Sequence, residues 1–213
     1  MLSTPPLTAT TYLPAGNSMS IPYNYTVMQQ LAYVTGNPVK FRQAITVCEP
    51  LGISLQQTKL DIVEIQAEDG EAVARDKVEK AFAILQKPLV ISDDNWIIPA
   101  LNGFPGPYAK SINEWFTPED WLRLTSTLTD RRIILHQIVV YQDADQQKLF
   151  SVDIEGILLH EIRGSSPYTH TTITSFDGSQ HSNAEINQQG KSSTAHLHNP
   201  WRDFAAWYAG EHT

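Results

Sequence analysis

The chain has 213 residues, of which 41% are hydrophobic and 18% are charged, as is ordinary for a globular protein with a sizeable core. Lysine and arginine together number 15 against 23 aspartates and glutamates, and the net charge of −8 argues against non-specific binding to nucleic acid or to an anionic membrane. A single cysteine excludes an internal disulfide and a thiolate metal cluster. Any anionic substrate must therefore meet lysines that are concentrated at one site.

The N-terminal segment, residues 1–26, is rich in Pro, Thr and Ser and lacks the charged start and apolar stretch of a signal peptide. We expect a loosely ordered extension here, followed by a single domain over residues 27–213. No apolar run approaches the ~18 residues that can span a bilayer. We therefore expect a cytoplasmic protein with no membrane partner.

The first half of the chain alternates short apolar runs, which predict strands, with segments that have one apolar face, which predict helices. In chain order we predict a strand at 30–34, a helix at 39–47 after Pro38, a strand at 53–59, an acidic loop at 61–70, a helix at 71–85 and a strand at 89–92. This order predicts an α/β sheet with helices packed on it.

The second half has longer β-branched runs. A helix is predicted over 118–128 with Thr117 as its N-cap. Residues 133–141 and 148–159 flank a polar turn and predict a long antiparallel hairpin. The chain from 163 to 194 is polar without periodicity, and an amphipathic helix is predicted over 201–208.

Two carboxylates and a lysine lie around the third predicted strand. Asp93 and Asp94 directly follow its apolar run, and a turn rich in Gly and Pro then leads to Lys110. Mg²⁺ prefers oxygen ligands and usually shares them with substrate phosphates, whose charge a lysine can offset. The same residues also suit an ordinary loop, so this motif alone leaves both interpretations open.

A second candidate site lies between the first strand and the first helix. Gly36 in the turn Thr35-Gly36-Asn37 lets the backbone approach an anion, toward which the amides of the first helical turn point. Lys40, one turn into the helix, can reach the same phosphate. Turns of this kind also cap helices that bind nothing, and Glu64 in the acidic loop is equally typical of a solvated surface.

In combination these strings resemble the inosine/xanthosine triphosphate pyrophosphatase family, which hydrolyses aberrant purine nucleoside triphosphates to monophosphate and pyrophosphate. The matching strings are VTGNPVKF at 34–41, LDIVEIQAED at 60–69, PLVISDD at 88–94 and ALNGFPGPYAK at 100–110. The resemblance is strong over residues 31–112 and extends through the hairpin to Gly164. It implies an elongated mixed β-sheet of the α/β class with two lobes and a central cleft, a nucleoside triphosphate substrate, Mg²⁺ as cofactor and a homodimer.

The resemblance also implies how the triphosphate is held. Thr35, Asn37 and Lys40, together with the backbone of their turn at Gly36, would bind the phosphate tail. These four positions all lie within the matching string VTGNPVKF.

The catalytic roles implied by the resemblance fall on two carboxylates and two lysines. Glu64 and Asp93 would bind Mg²⁺ and activate the attacking water, with Asp93 as the base. Lys77 and Lys110 would neutralise phosphate oxygens as charge develops in the transition state.

This chain departs from the family's acidic pair. The family places that pair one residue earlier, where this chain has Ser92 followed by Asp93, and Asp94 is an addition. Whether Asp94 replaces the missing acidic residue is left open by the sequence.

The base-binding half of the family pattern is altered. The aromatic-Gly-aromatic-Asp-Pro motif is absent from residues 165–170, where Tyr168 would either stack on a base or lie exposed in a loop. Lys191 aligns with the family's pocket lysine and His196 with its closing histidine, whereas Leu197 replaces the arginine that would contact the purine. We therefore expect an altered choice of base.

Together with these departures, the resemblance implies a Mg²⁺-dependent nucleoside triphosphate pyrophosphatase that acts on non-standard purine nucleotides with an altered base pocket. A related phosphohydrolase acting on another nucleotide stays open, as does a nucleotide-binding protein without turnover. The retained pair Glu64 and Asp93 favours an active enzyme, because a binding protein that had lost turnover could shed its metal-binding carboxylates first.

Overall fold

A computed structural model describes residues 30–192, 194 and 197–211. The predicted extension over residues 1–26 and the candidate His196 lie outside the described residues. No helix in the described part of the chain is long and apolar enough to cross a membrane.

Strands and helices alternate through the first half, and strands dominate the middle of the described chain. The strands are β1 (Leu31–Val34), β2 (Leu55–Thr58), β3 (Leu89–Ile97), β4 (Pro105–Gly106), β5 (Arg132–Gln142), β6 (Gln147–Leu158) and β7 (Thr174–Ser175). The α-helices are α1 (Pro38–Cys48), α2 (Gly70–Leu85), α3 (Ala109–Trp115), α4 (Pro118–Thr125), α5 (Asn183–Gln188) and α6 (Pro200–Glu211).

All these strands join one mixed sheet, in the order β2-β1-β3-β5-β6-β7, with β4 also paired to β3. The pairs β1–β2 and β1–β3 are parallel, because α1 and α2 return the chain to the same end of the sheet. The pairs β3–β5, β5–β6 and β6–β7 are antiparallel, and β5 and β6 form the predicted hairpin.

The described residues form three apolar clusters, two of which belong to one lobe of the molecule and the third to a second lobe. In the first lobe, α1 and α6 pack on one face of the β2-β1-β3-β5 part of the sheet, and α2 packs on the other. The second lobe is built around the far ends of β3, β5 and β6, with α4 and the segment that contains β7. Trp121 of α4 is buried in this lobe. The expected mixed α/β sheet with two lobes is confirmed.

The predicted N-cap of α4 is present, and α1 has a side-chain cap as well. Asn37 caps α1 through its side chain, with Pro38 as the first helical residue. Thr117 caps α4 in a reciprocal capping box with Asp120.

The third strand is longer than predicted and overturns one local expectation. β3 continues from Leu89 to Ile97, since β5 pairs with it along its whole length, from Leu89↔Gln142 to Ile97↔Ile134. Asp93 and Asp94 therefore lie inside the strand and not in a loop behind it. The segment after β6, which has no sequence periodicity, holds the short elements β7 and α5.

Candidate active site

Asp93 and Asp94 lie at a gap in the sheet. On one edge of β3, β1 pairs only with Leu89 and Val90, and β4 pairs only with Trp96 and Ile97. Between them, residues 91–95 pair with β5 on the other edge, and no strand of the described residues pairs with them on this one. We call this opening the strand gap. It gives access from the edge of the strand to two carboxylates whose side chains are 23% and 27% exposed.

The two carboxylates point to opposite faces of the sheet, because side chains alternate along a strand. Val90 packs with α1 and α6, and the Ser92 hydroxyl is hydrogen-bonded to Tyr33 on the same face. Asp94, two residues further along β3, points to this same face. Ile91 packs against α2 on the opposite face, which Asp93 therefore shares.

Lys40 of α1 reaches into the strand gap and lies near both carboxylates. Its Nζ lies 2.9 Å from Asp94 Oδ2 and 3.9 Å from Asp93 Oδ1. Burial would lower the pKa of the Lys40 ammonium, but the negative charges of Asp94 and Asp93 outweigh burial, and the pKa is raised. Lys40 is therefore a permanent positive charge at neutral pH, next to the turn expected to bind phosphate.

The turn at residues 35–37 differs from an anion-binding turn in which all the backbone amides are free. The amides of Val39 and Lys40 both donate to Asn37 Oδ1, at 2.8 Å and 3.3 Å, and Pro38 has no amide hydrogen. The first-turn amides predicted to face an anion are therefore engaged by the cap. Gly36 is exposed, and a Cβ placed there would meet nothing within 4 Å. A phosphate can approach this backbone, while Lys40 supplies the opposite charge.

Glu64 and Lys77 form the second group of predicted residues. Lys77 Nζ lies 2.6 Å from Glu64 Oε1, and the Glu64 side chain is 45% exposed. Lys80, the next turn of α2, donates to the carbonyl of Val63 at 2.8 Å. These two lysines hold the acidic loop on α2, on the face of the sheet that Asp93 shares.

Tyr168 joins the second lobe to the phosphate turn. Its hydroxyl accepts a hydrogen bond from Asn37 Nδ2 at 3.3 Å, although its side chain is largely exposed. The loop is fixed from α3, where Asn113 Nδ2 donates to the Pro167 carbonyl at 3.2 Å. The structure thus brings Tyr168 to the triphosphate candidates, across the cleft between the lobes.

His170 is a candidate that the sequence did not single out. It is 6% exposed, and its ring lies 4.3 Å from that of Trp96, two residues beyond Asp94 on β3. Its Nδ1 donates to Asn113 Oδ1 at 3.0 Å, because an amide oxygen can only accept; the same oxygen also accepts from Thr169 Oγ1. Burial lowers the pKa of His170 to about 4, against the opposing charge of Asp94. The ring is therefore neutral at pH 7.

The Nε2 atom of His170 is buried and has no hydrogen-bond partner among the described residues. With Nδ1 protonated, this nitrogen is an acceptor. The only sequence signal for it was its position in the segment 165–170, where the family's base-binding motif is missing.

Lys110 and Lys191 make no hydrogen bond or ion pair with these groups within the described part of the chain. Lys110 is exposed in the first turn of α3 and takes part in no ion pair found among the described residues. Lys191 is exposed and donates to Gln189 at 3.3 Å. Leu197, which replaces the family arginine, packs against the apolar cluster of the second lobe.

Whether a metal ion would fit this site depends on the side chains available to coordinate it. No group of three or more His, Cys, Asp or Glu side chains is arranged to hold a metal ion in the part of the chain that is described. Mg²⁺ at phosphate-processing sites is usually held by one or two carboxylates plus substrate phosphates. Asp93 and Glu64 are partly exposed carboxylates, the type of ligand that this smaller donor set uses.

The amino-acid sequence is similar to those of known proteins. The sequence model of the Ham1 family matches residues 31–207. A protein from Methanosarcina mazei named dITP/XTP pyrophosphatase is 27% identical over 184 residues, covering 86% of this chain and 99% of that protein. A protein of the same name from Thermococcus kodakarensis is 29% identical over 178 residues, covering 84% of this chain and 96% of that protein.

Solved structures show the same fold. The Ham1 protein of Staphylococcus aureus superimposes with a TM-score of 0.68 at 21% identity, covering 85% of this chain and 100% of the other. The HAM1 protein of Coxiella burnetii gives 0.66 at 18% identity, covering 85% of this chain and 98% of the other.

Proposed function

The chain belongs to the Ham1 family, and we propose that it hydrolyses nucleoside triphosphates, non-standard purine nucleotides among them, to monophosphate and pyrophosphate. The observation that carries the proposal is the strand gap, where the Asp93 carboxylate and the Lys40 ammonium lie beside the open turn at Gly36. The relatives named dITP/XTP pyrophosphatase match nearly their whole length, so the proposed activity concerns the whole domain.

In this proposal the triphosphate lies along the turn. Gly36 lets the phosphates approach the backbone, and Lys40 contributes a charge that the neighbouring carboxylates hold in place. Thr35 and Asn37 shape the turn, since Thr35 Oγ1 accepts from the Asn37 amide at 3.1 Å. Charge neutralisation and positioning are the main demands of phosphoryl chemistry.

Asp93 would act as the base. The oxygen of a water molecule bonds to the α-phosphorus, its proton passes to Asp93, and the bond from that phosphorus to the oxygen bridging toward the β-phosphate breaks. Pyrophosphate leaves with the bridging oxygen. Lys77, now paired with Glu64, and the exposed Lys110 would offset the charge on the phosphates.

We also propose Mg²⁺ as the cofactor, held by Asp93 and Glu64. When bound, it would neutralise phosphate oxygens and make water a stronger nucleophile. Glu64 would then exchange its contact with Lys77 for the cation, leaving that lysine for the substrate.

The base would lie toward the second lobe, where Tyr168 contacts Asn37. His196 and Lys191 remain candidates for this pocket. An altered base choice is supported by Leu197, because a side chain packed in an apolar cluster cannot donate hydrogen bonds to a purine oxygen as an arginine would.

We further propose a cytoplasmic homodimer. Trp115 is 71% exposed next to a groove of about 400 Å³ lined also by Phe116 and Leu124, and a second copy would pack against this apolar face. Light scattering after gel filtration would give the mass, and a monomer at all concentrations would contradict the proposal.

A second candidate function is nucleotide binding without turnover. It is favoured by the ion pairs that already compensate the carboxylates, Lys40 with Asp94 and Lys77 with Glu64. If these pairs do not open for a metal ion, the site would bind phosphates through its lysines but hydrolyse nothing.

The test is pyrophosphate release with Mg²⁺ from ITP, XTP, dITP and the standard nucleotides. We expect release from at least one of the non-standard purines, and a loss of at least a hundredfold in Glu64→Gln. Glu119→Gln, an exposed glutamate in the first turn of α4, is the matched control. Binding of all these nucleotides without release would instead support the second candidate.

A further inference from the structure

Asp94 is the carboxylate whose role the proposed function leaves unassigned. It stands beside Asp93 in the sequence, yet alternation along β3 turns it to the opposite face. That face is also the face of Ser92, whose hydroxyl is hydrogen-bonded to Tyr33.

Both oxygens of Asp94 are already engaged by nitrogen donors. Oδ2 lies 2.9 Å from Lys40 Nζ, and Oδ1 accepts from Nε2 of Gln137, its cross-strand neighbour on β5, at 3.3 Å. Asp94 is thus bound to β5 on one side and to α1 on the other. Surroundings of this kind suit a carboxylate that holds a cationic side chain.

Asp93 has different surroundings. Its Oδ1 accepts from the Asp94 backbone amide at 3.0 Å, and Lys40 stays 3.9 Å away, beyond a direct hydrogen bond. The direct contact of Lys40 is therefore with Asp94 and not with Asp93. Without the Asp94 charge, Lys40 would be drawn to Asp93, the nearest remaining carboxylate, and would compete there with a metal ion.

We propose that Asp94 is a positioning residue that holds Lys40 away from Asp93 and so keeps Asp93 available to a divalent cation. Asp94 is not itself a ligand of that cation. The inference rests on the part of the proposed function that assigns the metal to Asp93. It does not depend on turnover.

The test is a double-mutant cycle with Mn²⁺ alone, in which free Mn²⁺ is measured by electron paramagnetic resonance without nucleotide. Asp94→Asn is expected to weaken Mn²⁺ binding about tenfold or more in the wild-type background. In the Lys40→Met background it should weaken binding by no more than about threefold, the residual effect of losing one screened charge nearby. Asp93→Asn should weaken binding strongly in both backgrounds, as a ligand must.

An equal loss for Asp94→Asn in both backgrounds would make Asp94 a ligand and overturn the proposal. Mn²⁺ binding that is unaffected by Asp94→Asn, or absent from the wild type, would overturn it too. Asp130→Asn, in an exposed pair with Arg132, controls for the loss of a carboxylate elsewhere. Asp94→Ser is the second variant if the amide disturbs folding. Because no nucleotide is present, failure of the cycle and failure of pyrophosphate release are separate results.

Discussion

Replacement of His170 should change how the stability of the protein depends on pH. The ring is 6% exposed, and burial lowers its pKa from 6.5 to about 4, because the charged form is poorly solvated there. The unfolded chain therefore takes up a proton on this residue as pH falls through 6.5, while the folded protein does not until about pH 4. The contribution of His170 to stability is intact above pH 6.5 and is lost progressively between those two values.

The size of the effect follows from the two pKa values. Each unit of difference corresponds to about 1.4 kcal/mol, so the full loss is about 3 kcal/mol, and most of it has occurred by pH 4.5. In His170→Phe this part of the pH dependence should vanish. Between pH 7.5 and 4.5 the free energy of unfolding should therefore decrease by about 2–3 kcal/mol less in the variant than in the wild type.

Urea unfolding, followed by tryptophan fluorescence at several pH values, measures this difference. Trp96 and Trp121 both contact the His170 ring and report on the packing around it. His181→Gln removes a histidine from the surface and controls for the loss of one imidazole. The reasoning is refuted if His170→Phe and the wild type lose equal stability on acidification.

Two further predictions concern packing around the site. Gly70→Ala should lower the free energy of unfolding by about 1–3 kcal/mol, since the new Cβ would lie 1.9 Å from the buried Asn95 Nδ2. Gly210→Ala should not, because nothing lies within 4 Å of the Cβ placed there. Thermal unfolding distinguishes the two variants, and equal midpoints would contradict the packing described. The Cys48 thiol is fully buried and burial raises its pKa to about 12, so Ellman's reagent should modify it only in urea. Rapid modification of the folded protein would show that α1 opens.

The parts of the fold that depend on neighbouring residues could be predicted from the sequence. Asn37 with Pro38, and Thr117 with Asp120, are local capping signals, and both helices begin where these residues indicate. The hairpin of β5 and β6 was predictable for the same reason. The extent of β3 was not, because Asp93 and Asp94 are kept in the strand by pairing with β5, about 45 residues away.

The candidate site, like the fold, could be predicted from the sequence only in part. Lys40 was expected near a phosphate from its place in α1, but its contacts with Asp94 and Asp93 depend on how α1 packs against β3. His170 was missed because its burial against Trp96 and its bond to Asn113 join segments far apart in sequence. No local pattern marks such a residue.

The position of bond cleavage tests the proposed function most directly. Hydrolysis of dITP in ¹⁸O-labelled water with Mg²⁺, followed by phosphorus NMR, shows which phosphorus receives the water oxygen. Attack at the α-phosphorus predicts ¹⁸O in the nucleoside monophosphate and none in pyrophosphate. Label in pyrophosphate, or release of labelled inorganic phosphate with a nucleoside diphosphate, would contradict it.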